Sequence, residues 1–326
     1  MLNNLLRIFI LCFSFASVVF GSSPEPRHLT LTYTCTIKDI PRKAGKLEFW
    51  IPVPASDNHQ TVEMFPVELS GGRITREAAF GNQMYYRSFN LKRHKSGDSI
   101  TVTFTYKITL WDQMVPEAKQ MLPLTNMATS PALLAYLSDN RLIPLQGPVA
   151  QLGQEMALPA EPIRAARQIY DNLIDRMVYN SKAPGAKRGD ANWACDSKTG
   201  NCSDYHSVFI GICRTEGIPA DHVFGLPLRP GQSAQPIRDW HCWARFWVDG
   251  PGWITVDASE ADKNPELRDY YFGTLSNVFL TISHGRDVLL EPTQKGPALN
   301  MFIEPYAEID GKPFTRLTWA ASFREE

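Results

Sequence analysis

Gly200-Asn201-Cys202-Ser203-Asp204-Tyr205-His206 is a turn that runs into an amphipathic helix with a cysteine at its mouth. Apolar residues recur at Tyr205, Val208, Phe209, Ile212 and Cys213, the three-four spacing of a helix with one buried face. Gly217 suits the left-handed residue that ends a helix, Ile218 can pack back over the last turn, and Pro219 blocks continuation. Asn201 is a good N-cap and Asp204 falls in the first turn, so the helix is expected to start at or next to Cys202. There the unpaired N–H groups and the positive end of the dipole favour a thiolate, the reactive form of cysteine.

A nucleophile also needs a base. Trp240-His241-Cys242-Trp243-Ala244-Arg245-Phe246-Trp247-Val248 reads as an aromatic-rich strand, Asp249-Gly250-Pro251-Gly252 as a turn, and Trp253-Ile254-Thr255-Val256-Asp257 as the returning strand. His241 opens the first strand and Asp257 closes the second, so both fall at the open end of one hairpin. Cys202, His241 and Asp257 then supply the parts of a thiol–imidazole–carboxylate triad.

The register raises a difficulty for Asp257. With a four-residue loop at 249–252, Val248 pairs with Trp253 and Asp257 falls opposite Ala244, on the face away from His241. Glu260 would then lie opposite His241 as the alternate orienter. A bulge or an odd-length loop, which Gly250 and Gly252 make feasible, would bring Asp257 round. His206, one turn along from Cys202, is a rival base, and with Cys202 and Asp204 it could make a metal site, although further zinc ligands cannot be placed. Cys213 is ~16 Å along the same helix and beyond disulfide reach. Cys242 leaves its strand by the opposite face from His241 and is assigned to the core. That leaves Cys195 as the residue that could cap Cys202 in a disulfide.

The sequence resembles the transglutaminase-like superfamily of papain-type thiol enzymes, and looks closest to its bacterial exported members. The resemblance is carried by G-N-C-S-D-Y-H at 200–206, E-G-I-P-A at 216–220, H-C-W-A at 241–244 and G-W-I-T-V-D-A-S at 252–259, and spans roughly residues 160 to 290. Arg245 departs from it, since relatives often carry an acidic residue there. The resemblance implies a core in which a helix carrying the cysteine packs on an antiparallel sheet carrying the histidine and aspartate, and it favours Asp257 over Glu260. It also implies acyl transfer through a thioester on peptide or glutamine-type carboxamide bonds, with no cofactor and no metal. Water and an amine are both open as acceptors, and hydrolysis is the favoured reading. A non-catalytic cell-surface scaffold is the alternative. The backbone N–H of Cys202 is the natural oxyanion donor, with a second expected from the loop around Trp193.

Elsewhere the chain supplies context. Arg7 followed by an apolar run to Phe20, with small Val19 and Gly21, reads as a secretory signal peptide over residues 1–21, an uncleaved anchor being the other reading. The expected location is therefore periplasmic or extracellular. Five cysteines would remain after cleavage, an odd count that leaves at least one thiol free. Lys and Arg number 33 against 34 Asp and Glu, without a basic stripe, which argues against nucleic acid and anionic membranes as partners. A protein or peptide substrate is the expected partner. No clustered acidic calcium loop is evident.

The expected fold class is α+β. An N-terminal β-sandwich occupies 22–112, on alternating stretches such as 28–34 and 99–106. A broken helical segment at 113–160 is expected to pack the two parts together. A transglutaminase-like core with a C-terminal β-hairpin fills 161–326. Within it an amphipathic helix runs over 161–179, a long loop over 181–199, and a final hairpin turns at Asp310-Gly311.

Overall fold

Alternate residues are buried along strands Arg27–Ile37 and Ile100–Leu110, with Leu, Tyr, Cys, Phe and Ile inward and threonines outward. The threonines meet across the antiparallel pair, Thr34 with Thr103 and Thr36 with Thr101 at 3.1 Å each. The computed structural model describes residues 25–41, 44–65, 71–92, 97–122 and 130–326, so the apolar segment 1–21 lies outside the described residues. No helix among the described residues is long and apolar enough to cross a membrane.

Two sheets make the sandwich. One has the order Leu317–Glu325, Arg27–Ile37, Ile100–Leu110, Gln60–Met64; the other Lys312–Phe314, Tyr306–Ile309, Lys46–Val53, Gln83–Asn90, Gly72–Arg76. Their inner faces share one apolar cluster that includes Leu31, Phe49, Tyr85 and Phe104, with Tyr85 edge-on to Phe104 at 5.3 Å. The same cluster continues into Phe224, Leu226, Leu280 and Cys202, so the sandwich core runs up to the Cys202 helix without a break.

The C-terminal strands correct one expectation. The turn at Asp310 and Gly311 is present, with Ile309 paired to Lys312, but these strands join the sandwich sheets and not the sheet that carries His241. Tyr306–Ile309 pairs with Lys46–Val53, and Leu317–Glu325 pairs with Arg27–Ile37 along its whole length. Alternation within a strand marks its inward face but not its neighbour, so this partnership was not readable locally.

The second sheet system has the order Gly252–Val256, His241–Val248, Ala220–Pro227, Phe279–His284. Its free edge is covered by the sandwich. The Gln60 amide bonds Thr281 N–H and C=O at 2.7 and 2.9 Å, and the Asn82 amide does the same to His284 at 2.7 and 2.8 Å. On one face of this sheet lie helices Cys202–Thr215, Pro162–Arg176, Ala191–Ser197 and Pro148–Glu155, packed around Val208, Phe209, Ile212 and Phe246. Residues 113–160 mostly cover this helical layer, through Val115, Ile143 and Val149, and touch the sandwich at Phe80–Tyr136, 5.7 Å apart. The loop expected at 181–199 contains helix Ala191–Ser197, capped by Asp190.

Removing residues 306–326 strips a neighbour from each sandwich sheet and exposes two strand edges. The truncated protein is expected to lose cooperative thermal unfolding by circular dichroism and to aggregate. A melt matching the full chain would contradict this.

Candidate active site

The Cys202 helix starts where its sequence says, and for the expected reasons. The Asn201 side chain accepts the Ser203 N–H at 3.1 Å, while the Asp204 carboxylate accepts the Asn201 N–H at 2.9 Å, a reciprocal cap of about 1 kcal/mol. Asp204 also accepts the N–H groups of Lys187 and Gly189, each at 2.9 Å, and so ties the preceding loop to the helix mouth. Both of its oxygens are spent on backbone, which removes it from the alternative metal site. At the other end Gly217 is left-handed, with φ 74°, and Ile218 N–H reaches the Cys213 carbonyl at 2.8 Å.

The hairpin settles the register. Val248 pairs with Gly252 and Ala244 with Val256, so the loop is the three residues 249–251 and not the four expected. Gly250 and Gly252 take φ of 99° and 80°, which a side chain would resist. An odd loop puts Asp257 across from Trp243, two residues from His241 on the same face. His241 Nε2 donates to Asp257 Oδ2 at 2.6 Å. A carboxylate can only accept, so a hydrogen sits on Nε2, and Nδ1 is the ring nitrogen left for a further partner. Glu260 does not reach His241: its carboxylate holds Lys263 at 2.7 Å and Arg229 at 3.4 Å.

Residues 150–258 match the family model of the transglutaminase-like superfamily. Over this stretch the chain is similar to that superfamily. An uncharacterized protein of Haemophilus influenzae is 24% identical over 305 residues, 82% of each chain. A protein-glutamine gamma-glutamyltransferase of Pseudomonas aeruginosa is 28% identical over 112 residues, which are 33% of this chain and only 17% of that protein. A solved structure from Cytophaga hutchinsonii, described as that of a candidate cysteine protease, shares the fold with a TM-score of 0.60. It does so at 12% identity over 93% of this chain and 92% of that one.

Cys202, His241 and Asp257 are 4, 6 and 3% exposed; Cys202 and His241 line a cleft of about 450 Å³, and Asp257 lies behind His241. Tyr179, Lys187, Arg229, Trp240, Glu260 and Lys263 are among its lining residues. Taking a lone ion out of water costs several kcal/mol, so charge can persist here only if every ion is paired. Hydrogen bonding from Cys242 and from His241, with the charge of His241, outweighs burial and holds the Cys202 thiol well below its ordinary range. Burial would lower His241, but the Asp257 carboxylate and the Cys202 thiolate hold it up at about 10. Asp257 is kept strongly acidic against burial by His241, by His206 and by the Glu260 N–H.

The other four described cysteines contrast with Cys202. All five are free thiols; burial pushes Cys35 and Cys195 up to about 12 and raises Cys213 and Cys242 as well. Cys195 packs against the helical layer and does not bridge Cys202. Cys242 is buried in the core, as expected, and its Sγ lies 4.0 Å from His206 Nδ1 in the first turns of the Cys202 helix.

His206 is engaged elsewhere, its Nε2 accepting the Ala258 N–H at 3.1 Å, and burial lowers its pKa. The Trp193 N–H is taken by Asp190 Oδ1 at 3.1 Å and cannot serve as an oxyanion donor. Arg245 is absent from the thiol cleft. It pairs with buried Asp221 at 3.0 Å, lies 4.2 Å from the Trp253 ring centre, and lines a separate cavity of about 370 Å³.

Gly200 tests the architecture of the helix mouth. It has φ 155°, and a Cβ there would lie 2.4 Å from the Asp204 Cβ. Gly200→Ala is therefore expected to displace the cap and destabilise the fold by about 2 kcal/mol. Denaturant titration measures this, and an unchanged midpoint would contradict it.

Proposed function

We propose that this chain is an exported acyl-transfer enzyme in which Cys202 is the nucleophile, His241 the general base and acid, and Asp257 the residue that orients the imidazole. The supporting observation is the 2.6 Å bond between His241 Nε2 and buried Asp257, which leaves the other imidazole nitrogen for the Cys202 thiol in the same cleft. The substrate class is a peptide or glutamine-type carboxamide. Cys202 Sγ attacks the carbonyl carbon, and the oxyanion that forms accepts from the Cys202 N–H. The imidazolium of His241 protonates the leaving amine or ammonia, which departs and leaves a thioester. Water, deprotonated by His241, then attacks the thioester and releases the acid and the thiol.

Hydrolysis is the favoured outcome because water is the abundant acceptor in an exported setting. The glutamyltransferase relative supports amine transfer as the second reading. Export rests on the apolar segment 1–21. The remaining alternative, a non-catalytic scaffold, has no reason to assemble a paired thiol, imidazole and carboxylate.

Incubation with a glutamine-containing protein should release ammonia or new amino termini, and mass spectrometry should trap an acyl group on Cys202. Cys202→Ala should lose all turnover with the melting temperature nearly unchanged. Turnover retained in that variant would overturn the thiol mechanism.

The pH dependence follows from the signs of the two shifts. The thiolate is lost only when pH falls through its lowered pKa, and the imidazolium only when pH rises through about 10. Alkylation of Cys202 should therefore stay fast at mildly acidic pH. It should need alkaline pH in His241→Ala, with Asp257→Asn between them. Identical profiles for wild type and His241→Ala would refute the pairing.

A further inference from the structure

His206 is a buried imidazole that none of the steps above uses. It lies one turn beyond Cys202 on the same helix and is 0% exposed. A polar ring taken out of water needs partners for its nitrogens. The two it meets are the residues that follow His241 and Asp257 in the chain.

The Ala258 N–H donates to His206 Nε2 at 3.1 Å, so that nitrogen carries a lone pair. Ala258 opens the helix that Asp257 caps, and the first N–H groups of a helix have no partner within it. The neutral ring then has its hydrogen on Nδ1, which lies 4.0 Å from Cys242 Sγ, next to His241 on its strand. Asp257 Oδ1 is 3.6 Å from Nε2 but is itself occupied by Ser259 Oγ and the Glu260 N–H, each at 2.9 Å. Two acceptors face each other there, so the Ala258 N–H, and not the carboxylate, ties His206 to this turn.

We propose that His206 is a positioning residue: from one turn behind the thiol it meets the residue after His241 and the residue after Asp257, and so holds both ends of the hairpin in register with Cys202. This rests on the reading of those three residues as the reacting set. The hairpin fixes His241 and Asp257 to each other, whereas Cys202 stands on a separate helix. Apolar packing such as Phe209 on Phe246, ring centres 6.1 Å apart, joins that helix to the sheet but has no direction. A hydrogen bond has one. Asp257, Cys202 and His241 are the charged groups that bear on the ring, and His222 meets it edge-on at 6.4 Å.

The test compares His206→Gln, His206→Asn and His206→Leu. A glutamine amide ends where Nε2 lies and keeps an acceptor for the Ala258 N–H. An asparagine amide ends where Nδ1 lies and falls short of it, and leucine fills the volume without an acceptor. In each folded variant, iodoacetamide labelling of Cys202 is followed against pH by peptide mass spectrometry. A displaced hairpin end stabilises the thiolate less, so Asn and Leu should label about tenfold more slowly at mildly acidic pH, with the profile moved to higher pH, whereas Gln should stay near wild type. If Leu does not fold, Gln against Asn decides. A purely structural role would lower the melting temperatures and leave the profiles of the folded variants at wild type; that result overturns the proposal, as do equal losses in Gln and Asn. If the wild type itself lacks acid-side reactivity, the reading of Cys202 as the nucleophile falls first and takes this inference with it.

Discussion

A carboxylate removed from water must have its oxygens satisfied, and the end of the His241 hairpin is arranged to do that for Asp257. One oxygen accepts from the imidazole of His241, the other from Ser259 Oγ and the Glu260 N–H. The residue thereby caps the short helix Ala258–Lys263 as well as gripping the first strand of the hairpin. Strand, hairpin and helix are fixed to one another through a single side chain. Because the buried anion stabilises a cation at His241, and that cation stabilises an anion at Cys202, charge alternates along the row and no member is left unpaired.

Behind the helix mouth a second buried ion plays a purely architectural part. The Arg286 guanidinium, 2% exposed, reaches the carbonyls of Arg188 and Gly189, the Asn300 side chain and Ser207 Oγ, with no carboxylate in salt-bridge range among the described residues. It joins the loop before the Cys202 helix to the helix itself and to the segment that returns toward the sandwich. Loop 187–189 is thus held from two sides, by Asp204 below and Arg286 behind, which explains how so polar a stretch stays ordered beside the cleft.

The helix that bears Cys202 was legible nearly to the residue, because caps, periodicity and the closing glycine are all local signals. Asp257 was legible as a candidate but not by register, since one residue of loop length reverses the face of everything after it. Its correct placement came from the resemblance, and the geometric cause is the three-residue loop. Cys242 was read as core by alternation, which was right about the face. The miss lay in not seeing that the helix mouth overhangs that same face. The strand pairing of residues 306–325 was hidden because it is a contact between opposite ends of the chain, on which local patterning is silent.

The pairing of Leu29 with Glu325 has a bearing on how the protein is made. Strand Arg27–Ile37 must meet a partner far along the chain before its sheet is complete, and the bridge of Ile237 to Ala321 ties the stretch leading to His241 to the same partner. Contacts of such long sequence separation form late, because the intervening chain must first be drawn together. A chain in which residues 317–325 have not yet paired therefore also lacks the bridge that holds the approach to His241.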